Sequence, residues 1–210
     1  DSDVIENIIK KEDNKKVTLT NEQEDALRYS FEAEMPKGEK QNYFVSFESV
    51  SEDSLPVFIT QNEFMRRMKE MSAHQQGMSF YGNMPDQYNL VLNTANPLIA
   101  RLADDLLEVA KDKVNPLQVE LNAKQTEEQK LKDEQKDIKS EDLTQEQKDA
   151  ASAVTKEVAD LKNQIKQIYA DVAAKNDRLH QLIDIALLAS GQLKGESLAK
   201  FVNRSVEMLK

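Results

Sequence analysis

The spacing of apolar positions changes several times along this chain, and each change marks an element. Val4, Ile5, Ile8 and Ile9 recur at helical spacing between Asp3 and Lys11, which predicts a short amphipathic helix. Thr20 followed three residues later by Gln23 is a capping-box pattern, and Ala26, Leu27 and Phe31 behind it share one helical face. Pro36 and Gly38 end that helix. The run Tyr43-Phe44-Val45-Ser46-Phe47 favours β-structure, as do Val57-Phe58-Ile59 and the alternating stretch from Tyr88 to Asn93, so three strands are predicted. Thr60 with Glu63 reads as the cap of a helix from Asn62 to Ala73, and strand, helix, strand implies a right-handed crossover if those strands are parallel. Asn96 before Pro97 opens another helix through Leu98, Ile99, Leu102 and Leu106, which Pro116 is expected to interrupt near its end.

From Leu117 to Asn176 the composition shifts to Glu, Lys, Gln and Asp, and the period becomes that of a coiled-coil seam. Val154, Val158, Leu161, Ile165, Ile168 and Val172, then Leu179 and Leu182, follow steps of four and three, interrupted at Lys175. Leu117, Leu121, Leu131 and Ile138 lie on the same lattice, with Lys124, Glu128 and Gln135 as its polar members. Thr144 with Gln147 supplies a second capping box, so the chain turns between the two arms and an antiparallel hairpin is predicted. Folding about residue 142 or 143 sets Leu131 near Val154, Leu121 near Ile165 and Leu117 near Ile168.

The last segment is apolar around its whole circumference from Leu179 to Leu188, so both of its faces need cover. Gly191 and Gly195 break it, and Leu198, Phe201, Val202, Val206 and Leu209 form one stripe on a terminal helix. Two consecutive helices with this much apolar surface suit a helical bundle between subunits. The fold class expected is α+β and predominantly helical. It comprises an α/β part over residues 1–116 with a small three-stranded sheet and crossover helix, a coiled-coil hairpin insertion over 117–176, and dimerisation helices over 177–210.

Composition narrows the function. A formal charge of −10 repels phosphate backbones and anionic lipid, so neither nucleic acid nor membrane is an expected partner. The absence of cysteine removes disulfides and thiolate chemistry, and no window reaches the ~20 apolar residues of a membrane span. The start at Asp1, without an initiator Met, reads as an excised piece of a longer chain. His74 and His180 stand far apart without a second ligand at metal spacing, and no phosphate loop or nucleophile elbow is present, so no metal, catalytic site or cofactor is expected here.

On the helix after the second strand, Phe64, Met68 and Met71 share a stripe, with Met65 at its margin. Core packing explains such a stripe and is the reading the residues alone favour. Methionine is also flexible and polarizable, which suits adaptable binding of many apolar partners.

The segments LPVFITQNEFMRRMKEMS (55–72), SFYGNMPDQYNLVLNTANPLI (79–99) and LHQLIDIALLASGQLKGESLAKFVNRSVEML (179–209), in this order, resemble the C-terminal domain of the HtpG family of ninety-kilodalton heat-shock chaperones. The resemblance implies a cytoplasmic, ATP-dependent chaperone whose ATP and Mg site lies in an N-terminal domain outside this sequence. It further implies a homodimer through Leu182, Ile183, Ala186, Leu187, Leu198, Phe201, Val202, Val206 and Leu209, and contact with unfolded clients through Phe64, Met65, Met68 and Met71. The hairpin of 117–176 departs from shorter members of the family. The alternative reading is a coiled-coil holdase or cochaperone scaffold, in which the hairpin makes the important contacts.

Overall fold

The computed structural model describes residues 19–38, 41–61, 63–74, 85–136 and 144–207. The expected helix from Asp3 to Lys11 lies outside them, as does Ile138. Helix α1 (Asn21–Glu34) opens on the predicted capping box, with Thr20 Oγ1 accepting from Gln23 N and Gln23 Oε1 accepting from Thr20 N. Two orphan N–H groups are thereby satisfied, and the helix buries Ala26, Leu27 and Phe31 as its spacing requires.

Strands β1 (Gln41–Glu48), β2 (Val57–Gln61) and β3 (Asp86–Asn93) form one sheet in the order β1-β3-β2. β3 runs parallel to β1 and antiparallel to β2. The strands flanking helix α2 (Glu63–His74) are therefore antiparallel, and the parallel pair is instead joined through β2 and α2 together. Thr60 pairs with Asn89 inside β2, so it is a ladder residue and not the cap of α2. On one face of the sheet Val45, Val57, Ile59, Leu90 and Leu92 join the main core. On the other, Phe58 and Val91 are register partners and both are buried, with α2 packed against β3.

Helix α3 (Pro97–Gln135) starts as predicted, with Asn96 Oδ1 accepting from Leu98 N at 3.0 Å and Pro97 in the first turn. It does not break at Pro116. Proline cannot donate to the carbonyl four residues earlier, but Asp112 and Pro116 both lie on the exposed side, where water can take the freed acceptor.

Helix α4 (Gln145–Ala173) begins at the second capping box, Thr144 with Gln147. It lies along α3 in the opposite sense, since Lys124 meets Glu157 at 2.6 Å, Thr155 donates to Glu128 at 2.8 Å and Gln135 donates to Gln147 O at 3.4 Å. The polar members of the first arm's lattice are thus the residues that reach across. Val154, Val158, Leu161 and Ile165 are buried as expected, but the face then continues through Tyr169 and Ala173 while Ile168 and Val172 are only half-buried. Steps of four hold the buried face toward α1, where Tyr29 meets Tyr169 with ring centroids 6.3 Å apart.

The interruption at Lys175 is a true break. Asn176 accepts from Leu179 N at 3.0 Å and starts helix α5 (Asp177–Ala189), which packs on β2. Gly191, at φ 72°, ends it: Gln192 N and Gly191 N donate back to Leu187 O and Leu188 O at 2.8 and 3.0 Å. That reciprocal pair needs a left-handed residue, which glycine adopts without Cβ strain. Helix α6 (Gly195–Glu207) follows.

Candidate functional site

Helix α6 buries none of its residues. Leu198, Val202 and Val206, at i, i+4 and i+8, are 37, 49 and 50% exposed, although together they make an apolar stripe that would ordinarily face a core. The opposite side is tied down by polar bonds. Arg204 pairs with Asp184 at 2.9 Å, Gln181 donates to Ser205 at 3.0 Å, and Phe201 packs half-buried against the core. Burial pushes the Asp184 carboxyl above its ordinary value, and the Arg204 and His180 charges pull it back. These bonds fix which way α6 turns.

Helix α5 divides its apolar residues between two sides. Leu179, Ile183, Ala186 and Leu187 are buried in the chain's own core. The other side carries Gln181, Leu182 and Ile185, which with Leu98, Arg101, Leu102 and Arg178 line an open apolar groove of about 450 Å³ between α3 and α5. Leu188 extends that side and is 44% exposed. Of the nine residues expected at an interface, then, Leu198, Val202 and Val206 lie open, Phe201 is half-buried, and Leu182 lines the groove while itself buried in the core. Ile183, Ala186 and Leu187 point inward, and Leu209 lies outside the described residues.

Ile185, Leu188 and Leu98 were not in the expected set. A helix apolar all round has no period from which its inner side can be read. Leu98 stands one turn before the buried Leu102 and reads as core by spacing, yet it is 49% exposed in the first turn of its helix.

On α2, Met71 is 49% exposed and Met68 is partly exposed, while the side chains of Phe64 and Met65 lie outside the description. Arg66 pairs with Glu70 at 3.2 Å, and Arg67 with Glu63, so the helix carries one-turn ion pairs beside its methionines. The rest of the chemistry is sparse. No group of His, Asp or Glu among the described residues could hold a metal ion, and no helix there is long and apolar enough to cross a membrane. His180 meets Glu34 at 2.9 Å, tying α5 to α1.

Comparison with known proteins places the whole chain beside one kind of protein. It is 44% identical over 209 residues to a "Chaperone protein HtpG" of Bacteroides thetaiotaomicron, covering 100% of this chain and 31% of that one. A protein of the same name from Porphyromonas gingivalis is 44% identical over 213 residues, and one from Bacteroides fragilis is 42% identical over 209, with the same shares covered. The chain thus spans about a third of the length of the curated relatives it matches. No family model and no solved structure matches it.

Proposed function

This chain belongs to the HtpG chaperone family, and we propose that it is the C-terminal segment that joins two copies of such a chaperone and contacts its clients. The observation that carries the reading is α6, an amphipathic helix whose apolar stripe is open and whose opposite side is bolted to α5 by Arg204–Asp184 and Gln181–Ser205. An exposed stripe held in fixed orientation suits a self-complementary, two-fold contact, in which Leu198, Val202 and Val206 meet apolar surface on the second copy. The groove between α3 and α5, with Leu98, Ile185 and Leu188, supplies such surface on the same protein.

Joining two copies holds the rest of each chain at high effective concentration. The ATP-dependent part of the chaperone, which the resemblance places in another domain, would be what that concentration serves in the cytoplasm. Clients would meet the α2 methionines, whose flexible side chains re-pack against unlike apolar segments. The α3–α4 pair, reaching well beyond the sheet, would act as a coiled-coil arm stiffened by its cross-links.

Because the chain has no cysteine, a single introduced thiol reports its own surroundings. Val202→Cys, mildly oxidised, is expected to give a covalent dimer within minutes, while Val119→Cys, on the exposed side of α3, gives none. Equal cross-linking at both positions, or none at Val202→Cys, would overturn the dimer contact.

A further inference from the structure

A crevice of about 640 Å³ lies between α1, α3 and α4, on a different part of the molecule from the α6 stripe. Tyr169 lines it, and although only 3% of that residue is exposed, its hydroxyl has no hydrogen-bond partner among the described residues. That hydroxyl opens onto the crevice instead of being sealed in the core, so a guest can reach it. Glu22 and Asp25 line the same crevice close enough to act on that phenol electrostatically, and neither has a hydrogen bond or ion pair among the described residues.

The neighbouring charges are already committed. Lys111 pairs with Glu108, and Asp104 accepts from Gln23 at 2.8 Å. Arg28 is turned toward β1, donating to Val45 O at 3.0 Å and lying 5.0 Å over the Phe47 ring. Arg28 still acts on Asp25 from there, and Lys162, which lines the crevice, acts on it more weakly. The aromatic wall already accepts a cation, since Lys166 Nζ lies 5.8 Å over the Tyr29 ring.

We propose that this crevice binds an alkylammonium or guanidinium group, with Glu22 and Asp25 supplying the opposite charge and the Tyr169 hydroxyl accepting a hydrogen bond. The group could belong to a free polyamine or to a basic side chain of a polypeptide, which share this chemistry. The volume falls within the ~300–1,000 Å³ of ligand sites, and the lining sets carboxylates beside aromatic and aliphatic walls, which suits a cation on an alkyl stem. Burial holds the phenol protonated up to about 12, so it meets the cation as a neutral acceptor. Lys162 competes with the guest for the same carboxylates.

Calorimetric titration of the whole chain in about 150 mM salt, where diffuse attraction is screened, tests this with spermidine and with a terminally blocked trilysine peptide. At least one probe is expected to bind with Kd below ~1 mM. Tyr169→Phe should weaken it about threefold to tenfold, the share of one hydrogen bond, and Asp25→Asn at least as much. Lys162→Ala should tighten binding, a change of sign that general loss of structure does not produce. Spermidine alone responding assigns a polyamine, trilysine alone a basic polypeptide segment, and both the shared group. No binding of either probe, or binding indifferent to Asp25→Asn and Tyr169→Phe in variants that melt like the parent, overturns the proposal.

Discussion

Replacing Asn93 by Ala removes a side chain that is fully buried and makes four hydrogen bonds. Its Oδ1 accepts from Val50 N at 3.1 Å and Ala95 N at 3.2 Å, and its Nδ2 donates to Ser51 O at 2.7 Å and Leu55 O at 3.3 Å. Asn96 adds two more from its amide, to Glu52 O at 3.2 Å and Ser54 O at 3.0 Å. Together they clamp the 49–56 connection onto the start of α3, the turn that carries Leu98 and Arg101 of the groove. Three of the four orphaned backbone groups can recruit water after the substitution. The buried Ala95 N–H cannot do so readily, and leaving it unpaired costs ~1–3 kcal/mol. With the smaller net terms of the other bonds and the vacated volume, the expected loss is about 3 kcal/mol, or ~6–12 °C in Tm for a chain of this size. Urea and thermal unfolding followed by circular dichroism at one fixed protein concentration would measure it. A loss below ~1 kcal/mol would refute the clamp, because it would mean that water replaces the amide without penalty.

Other perturbations separate the remaining features. Met68→Ala with Met71→Ala should weaken suppression of client aggregation severalfold and leave the assembly state unchanged, read by light scattering beside sedimentation; unaltered holding would count against α2 as the client surface. Burial keeps the Asp184 carboxyl above 3.8, so the folded chain retains a proton that the unfolded chain releases. Stability from this group therefore falls as pH rises from 3.8 through the raised value, and Asp184→Asn should flatten that part of a melting series. The Tyr169 phenol, raised to about 12 chiefly by burial, gives the same sign at alkaline pH: stability should fall as pH climbs from 10 toward 12. Ultraviolet titration should show one late phenol missing in Tyr169→Phe; a full set of phenols titrating near 10 would contradict the burial.

The sequence carried the elements with local signals. Both capping boxes, the Asn96-Pro97 opening and the Gly191 stop are settled by neighbours within a few residues, and the structure has each of them. What depended on tertiary setting was less legible. Pro116 reads as a break because the sequence does not say that its freed acceptor faces water. Thr60 fits a cap and a strand equally, and pairing with Asn89 decides. Strand direction around α2 could not be read at all, because β2 pairs with a strand that follows 25 or more residues later. For the candidate site, the stripe of α6 was legible from its period, whereas the sides of α5 were not, since both are apolar. The Tyr169 crevice gave no signal, because it joins three helices distant in sequence.

The proposed joining of two copies through α5 and α6 is tested most directly by sedimentation equilibrium of the whole chain over a wide concentration range, beside Leu198→Glu with Val202→Glu. A dimer at ~1–10 μM that the paired substitution reduces to a folded monomer is the expected result, since four carboxylates would crowd a desolvated two-fold contact. A wild-type monomer throughout that range, or a variant that associates as tightly as the parent, would contradict it.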